Sequence, residues 1–404
     1  MRNDLREIVR TILFDNVKLS YGCTEPVAVG LSVAVGKKYL KGDVQKIEVL
    51  MDRNTYKNGL EVGIPGTHLH GFELAVALAY IVGKAELGLE VFKYVDSDAV
   101  MKAYELKDKI VVKYTNDMYL HIRTRLLGEN DVLVEITDSH DNVSRIVVDG
   151  KEVINNQSSA NFKKDIIKSI NLSDIFEYVE APDNDVIKMV SDAIQYNQNI
   201  SKIGLEEEIT FGKVLEGMPR YVASGVDMRM NGALLPVMTV AGSGNQGISC
   251  TVPVALYADE LGVLSDIKLR AVLLSMLVTI YIKAYTGALT PICGAGSIAS
   301  AGASAGITYL QNGSHEQIKN AINNVLATLF GMTCDGAKRS CALKASIGTQ
   351  MALNAAKLSM NDMNVPCGNG FAAKDVEETI RRIEILTNSL RNFDENVIDF
   401  IGHC

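Results

Sequence analysis

Two long runs without a single charged side chain constrain this chain more than any other feature, one from Asn231 to Ala258 and the other from Ala284 to Ser314. Each exceeds the roughly 20 residues needed to cross a bilayer. Their content is wrong for lipid, because Gly, Ser, Thr, Asn, Gln and Pro interrupt both throughout. Small residues let helices and turns pack closely and leave backbone groups free to face a ligand. Both runs therefore read as the buried centre of an enzyme, and no membrane association is expected.

The rest of the composition fits a folded globular chain. Of 404 residues, 47% are apolar and 22% charged, and that length suggests two domains. A formal net charge of −8 argues against a nucleic-acid surface, which needs a basic stripe. The first residues, Met1 to Glu7, mix both charge signs and lack the apolar core of a secretory signal, so a cytoplasmic location is expected. Seven cysteines, an odd count over a long chain, favour reduced thiols, metal ligands or catalysis over a disulfide framework.

Periodicity divides the chain. Leu5 to Phe14 reads as a short amphipathic helix, and a second helix is expected from about Thr24-Glu25-Pro26 to Tyr39, with Thr24 as its cap and Pro26 in its first turn. Val44 to Met51 alternates as a strand, Lys57 to His68 is rich in turn residues, and an alanine-rich helix follows over 71–82. Between Lys109 and Val153 the pattern changes to period two, giving strands at 110–114, 119–123, 131–136 and 144–148 of one antiparallel sheet, with Asp149-Gly150 as a hairpin turn. Asn155 to Ser159 is the most linker-like stretch, and everything after it reads as helix and loop. The expected class is α+β, with a mainly helical catalytic domain (156–404), a smaller antiparallel-sheet domain (45–155) and N-terminal helices (1–44) joining the helical domain.

Three cysteines lie among small residues: Cys293 in Thr290-Pro291-Ile292-Cys293-Gly294-Ala295-Gly296-Ser297, and Cys334 and Cys341 at the ends of Cys334-Asp335-Gly336-Ala337-Lys338-Arg339-Ser340-Cys341. Neighbouring glycines let backbone approach a bulky cluster and turn N–H groups toward its sulfurs. Seven helical residues rise about 10.5 Å, too far for two ligands of one cubane, so at least one of Cys334 and Cys341 must lie off a regular helix. Thr333 to Gly336 is the expected loop, with Cys341 on the helix that follows. Spacing alone leaves metal ligation and simple burial both open. Cys250 and Cys367 read as small buried hydrophobes.

Polar anchors for a small anionic ligand are sought in two loops. Gly242-Ser243-Gly244-Asn245-Gln246-Gly247 offers consecutive backbone N–H groups suited to an anion, with Ser243 and Asn245 as side-chain candidates. Asn58 and Thr67 are further candidates, each with an ordinary alternative as a turn residue. His68 and His70 lack a nearby carboxylate cluster and are read as ordinary polar residues.

The stretch from Thr290 to Ala299 resembles the cluster-binding motif of the L-cysteine desulfidases and of their relatives, the iron–sulfur L-serine dehydratase alpha chains. Tyr21-Gly22-Cys23-Thr24-Glu25-Pro26, the Gly63 to Thr67 loop and Gly242 to Gly247 also resemble the desulfidase pattern, in the right order along the chain. The resemblance implies a 4Fe–4S cluster with Cys293, Cys334 and Cys341 as ligands, no pyridoxal phosphate, L-cysteine as substrate and Cys23 as proton acceptor. Three ligands leave one iron open as a Lewis acid for the substrate thiolate. Cys23, just before a helix, is expected to have its thiol pKa lowered by the helix N-terminus. Glu25 is the other candidate base, with a role in the first helical turn as its alternative. The terminal Cys404 could cap the open iron or be a free thiol at a frayed end.

Three rival readings differ in chemistry. An L-serine dehydratase would use the same cluster with hydroxide as leaving group. A pyridoxal-phosphate lyase would need a Schiff-base lysine in a fitting motif, and Lys202 and Lys213 have none. A non-catalytic zinc protein would need a fourth ligand beside the three cysteines. Oligomeric state is left open, and a homo-oligomer is compatible with the sequence.

Overall fold

The computed structural model describes residues 3–117, 119–156, 166–390 and 392–401. Most of the expected linker and Cys404 lie outside these residues. The chain opens with helix α1 (Asn3–Asn16), strand β1 (Val17–Tyr21) and helix α2 (Thr24–Tyr39). Strand β2 (Lys46–Asp52) leads into α3 (Arg53–Gly59), then come α4 (Phe72–Val82) and α5 (Ser97–Leu106). Strands β3 (Ile110–Thr115), β4 (His121–Leu127), β5 (Asp131–Thr137), β6 (Val143–Val148) and β7 (Lys151–Asn155) follow.

Strands β2 to β7 form one sheet in the order β3-β2-β4-β5-β6-β7. It is antiparallel except for the parallel β2–β3 pair, which the intervening helices α3 to α5 make possible. Alternation decides its faces. Ile47, Val49 and Met51, Ile122 and Leu126, and Val132, Val134 and Ile136 turn inward and are buried. Arg123 and Arg125 turn outward, and Arg125 pairs with Asp131 at 2.6 Å. Asp149 and Gly150 carry φ of 49° and 76°, the left-handed pair that a two-residue hairpin requires.

Helix α2 is buried all round from Thr24 to Gly36, because it is enclosed between the sheet and α4. It supplies Val27, Leu31 and Val35 to the core beneath the sheet. Gly36 marks the closeness of that packing, since a Cβ there would stand 2.3 Å from Leu126 Cδ1.

The remainder is helical: α6 (Leu172–Glu180), α7 (Asn184–Glu206), α8 (Gly217–Met230), α9 (Gly244–Leu261), α10 (Ser265–Thr286), α11 (Ala299–Leu310), α12 (His315–Leu329), α13 (Cys341–Met360), α14 (Val376–Ser389) and α15 (Phe393–Ile398). One exception interrupts it. Pro236–Val240 forms β8, which pairs antiparallel with β1 from Val17↔Val240 to Tyr21↔Pro236. Neither strand is legible from local pattern, because each is short and its only partner is remote in sequence. The two uncharged runs are largely interior: β8 and α9 occupy most of the first, and α11, at the centre of the main core, lies within the second. Among the described residues no helix is long and apolar enough to cross a membrane.

Two expectations are corrected. Residues 53–59 form a helix rather than the start of a loop, since Asp52 accepts from the amides of Asn54 and Thr55 and nucleates it. Cys367 is exposed, whereas Cys250 is fully buried as expected.

Candidate active site

Seven chain segments meet around one cavity of about 80 Å³, lined by Cys23, Glu25, Asn58, His140, Arg229, the Gly242 to Gln246 turn, Lys283, Cys293, Cys334 and Cys341. The four cysteines singled out by sequence are thus brought together, with Asn58, Ser243 and Asn245. Thr67 is not among the lining residues. Its hydroxyl donates to Ile64 O at 2.9 Å and accepts from the Leu69 amide at 3.1 Å, so it closes its own turn.

Backbone turns place each cysteine. Gly22 has φ of 78°, and a Cβ there would lie 2.1 Å from Pro65 Cγ, so only glycine lets the chain leave β1 and enter α2 at this point. Cys23, not Thr24, is then the N-cap of α2. Cys293 precedes a single π-helical turn, Gly294–Ile298, that opens α11, and its Sγ accepts from the Gly296 amide at 3.4 Å. An antiparallel bridge between Ile292 and Thr333 fixes Cys334 beside it, with Cys334 N donating to Pro291 O at 2.7 Å and Cys293 N to Met332 O at 2.8 Å. Cys334 therefore lies in extended chain and Cys341 begins α13, which is the off-helix arrangement the rise per residue demands.

The ligand-bearing loop is braced by charge. Lys57 Nζ donates to Cys334 O at 3.1 Å and pairs with Asp394, both side chains being 1% exposed. Lys344 Nζ donates to Thr333 O at 2.8 Å and pairs with Asp335, which also pairs with Lys338 at 2.7 Å. Arg339 grips the buried Asp227 through two bonds of 2.7 and 3.0 Å.

The residues around the three thiols fit a polynuclear cluster. Burial pushes the Cys293 thiol up to about 12, with Cys334 and Cys341 adding to the rise, and burial followed by Cys334 raises Cys341. Three thiolates in one buried cavity would need positive charge to persist, which bound iron would supply. Glycine keeps the walls open: a Cβ at Gly294 would stand 2.7 Å from Gln246 Oε1, and one at Gly336 2.7 Å from Lys57 O. Among the described residues no three His, Cys, Asp or Glu side chains converge on a point where one ion could sit.

Opposite these thiols stands a pair of acidic groups. Cys23 Sγ donates to Glu25 Oε2 at 2.9 Å, Thr24 Oγ1 donates to the same oxygen at 3.1 Å, and Asn58 Nδ2 donates to Oε1 at 2.9 Å. Burial, then the Glu25 charge, holds the Cys23 thiol well above its usual range, and Arg229 offsets this only in part. The helix N-terminus does not lower it as expected, because desolvation and an adjacent carboxylate outweigh the helix dipole. For Glu25 burial acts upward, yet His140, the bonds from Cys23 and Asn58, and Arg229 together hold the carboxyl below its usual value. Arg229 spans the site, donating to Asn245 Oδ1 at 2.9 Å and to Gly22 O at 2.7 Å. Ser243 caps α9, accepting from the Gln246 amide at 3.4 Å.

Sequence reasoning missed Arg229, Lys283, Gln246 and His140. Only Lys283 carried a signal, as the one charged residue in the apolar stretch Ala271 to Thr286 of α10.

Comparison with known proteins adds a family. The model of the serine dehydratase alpha chain matches residues 86–399, a span that holds Cys293, Cys334 and Cys341 but not Cys23, Glu25 or Asn58. A UPF0597 protein of Fervidobacterium nodosum is 70% identical, covering 100% of this chain and 98% of its own. A second, of Thermosipho melanesiensis, is 52% identical over 98% of this chain and 100% of its own. A third, of Clostridium perfringens, is 36% identical over 98% of both chains.

Proposed function

The chain belongs to the serine dehydratase alpha chain family, and from that premise we propose that it is an iron–sulfur lyase that removes sulfide from L-cysteine. Water and L-cysteine would give pyruvate, ammonia and hydrogen sulfide by β-elimination. The observation that carries this reading is the Cys23–Glu25 pair lining the same cavity as Cys293, Cys334 and Cys341. The Gly22-Cys23-Thr24-Glu25-Pro26 segment, which resembles the desulfidase branch, thereby faces the candidate cluster site.

Cys293, Cys334 and Cys341 would hold a 4Fe–4S cluster, which supplies a Lewis-acidic iron free of protein thiolate. The protein's own groups handle the proton. Cys23 rests as a thiol, so it becomes a base only by giving up its proton. Glu25 Oε2 lies 2.9 Å away and is ionised. As the Cα–H bond breaks, Cys23 Sγ takes that proton and passes its own to Glu25 Oε2. The freed electron pair forms the Cα=Cβ bond, and the Cβ–S bond breaks with its electrons on sulfur. The aminoacrylate product tautomerises to the imine, which water hydrolyses to pyruvate and ammonia.

Thr24 and Asn58 orient the carboxylate, and Arg229 holds the Gly22 carbonyl so that Cys23 cannot swing away. Burial of Cys23 and Glu25 (3% and 6% exposed) keeps bulk water from the pair.

The description of the matched family favours a second reading, in which L-serine is the substrate and hydroxide leaves. Sulfide release from L-cysteine, measured beside pyruvate formation from L-serine on anaerobically purified protein, separates the two. Efficient turnover of serine with negligible sulfide from cysteine would reject the desulfidase reading.

A further inference from the structure

The active cavity shares a wall with a second cavity of about 150 Å³. This lies between α1, α10 and the β5–β6 connection, and its rim carries Lys18, Asp138 and Asp141. His140, Gly242, Lys283 and Ala288 line both cavities and so form the partition.

Two side-chain atoms of the active cavity are buried without a partner, and a third polar group, Lys283, is 6% exposed and lines both cavities. Gln246 Oε1 and His140 Nε2 are buried and unsatisfied, on side chains 2% and 6% exposed. Leaving such groups unpaired is costly, and buried polar atoms are nearly always paired. Their chemistry is specific: a cation, an amide oxygen that can only accept, and an imidazole whose pKa burial lowers while Glu25 acts the other way. Together they complement a small zwitterion. The Gln246 amide is oriented, because its Nε2 donates to Val240 O at 3.3 Å and Ala241 O at 3.4 Å, which leaves Oε1 as the spare atom.

We propose that Lys283 seats the α-carboxylate of the substrate and that Gln246 Oε1 accepts from its α-ammonium, on the side of the active cavity that adjoins the second cavity. This rests on reading the chain as an amino-acid lyase. A substrate held by its carboxylate on the shared wall keeps its β-substituent in the active cavity, with Cys23 and the three candidate cluster cysteines. The competing role for Lys283 is to offset the negative charge of the nearby thiolates, and that role predicts loss of iron when the lysine is removed.

The test is calorimetric titration of the anaerobically purified holoenzyme with L-alanine, which has both charged groups and no leaving group. Ethylamine and propionate, each lacking one charged group, are the controls. Lys283→Met should weaken L-alanine binding roughly 10- to 100-fold, the scale of a lost charged hydrogen bond, at unchanged iron content and with ethylamine binding unaltered. Gln246→Leu should weaken L-alanine and leave propionate unchanged, and it keeps the proposal testable should Lys283→Met fail to fold. Unchanged L-alanine affinity in either variant, or loss of iron from Lys283→Met, overturns the assignment. Because L-alanine cannot eliminate, this outcome is independent of whether L-cysteine proves to be the substrate, which the sulfide assay decides.

Discussion

Cys23 and Glu25 share one proton across 2.9 Å at the start of α2, the thiol held up and the carboxyl held down in pKa. The nucleophile-like cysteine is therefore dependent on its neighbour, and this makes the two residues separable by experiment from the cluster cysteines.

Replacing either member should stop chemistry and spare the metal. Cys23→Ala and Glu25→Gln are each expected to lower kcat about 10²- to 10⁴-fold, the usual worth of a positioned proton acceptor. Iron content and visible absorption should match the wild type. Near-normal turnover in Glu25→Gln would show that Cys23 acts alone.

The same pair sets a pH expectation. Glu25 has a depressed pKa, so its ionised form persists below the ordinary carboxylate range and is lost only as pH falls through the folded value. Cys23 has a raised pKa, so its proton is lost only above the ordinary thiol range. Neither group should bend the profile of kcat/KM between roughly pH 5 and 8, the interval inside their unperturbed values. For stability, Glu25 contributes above its unfolded pKa and this contribution fades as acid protonates the folded carboxyl. Glu25→Gln should flatten the acid limb of the melting profile.

Cysteine variants should fall into two groups. Alanine at Cys293, Cys334 or Cys341 should abolish iron binding. Cys250→Ala should keep the iron and cost about 1 kcal/mol for a small core cavity, since Cys250 is fully buried. Cys367→Ala, at an exposed site, should change neither iron content nor denaturation midpoint.

The buried Lys57–Asp394 pair ties α15 to the carbonyl of Cys334. Lys57→Met strands a buried carboxylate and should cost about 3–5 kcal/mol in denaturant unfolding. Iron should also leave faster on chelator challenge. The Lys57→Met/Asp394→Leu double variant should recover much of the stability but not the iron retention, because the bond to Cys334 O stays broken. Equal recovery of both would show that the lysine does not position the ligand.

Much of the fold was legible because it rests on local period. The sheet strands span five to seven residues, and α2 and α4 run as apolar helices, the first opening at Cys23 and the second bounded by Gly71 and Gly83. The separation of Cys334 and Cys341 was legible from helical rise alone. What was hidden is long-range. Strands β1 and β8 have meaning only as partners, and the placement of α2 under the sheet depends on a glycine meeting Leu126. The lowered pKa expected at Cys23 failed for a related reason: the helix dipole is a sequence-local effect, whereas burial and the orientation of Glu25 are tertiary. Arg229 and His140 are unremarkable in sequence and reach the cavity only by where the chain brings them, and Gln246, though inside the Gly242 to Gly247 motif, showed no sign of its side-chain placement.

The most direct test is Mössbauer spectroscopy of iron-57-enriched, anaerobically purified protein before and after addition of L-cysteine, with iron, acid-labile sulfide and zinc measured on the same sample. The account predicts iron and sulfide in equal amounts as a 4Fe–4S cluster, with one iron site whose signal changes when substrate is added. Fully active protein that contains no such cluster, or whose iron sites are all indifferent to substrate, would contradict it.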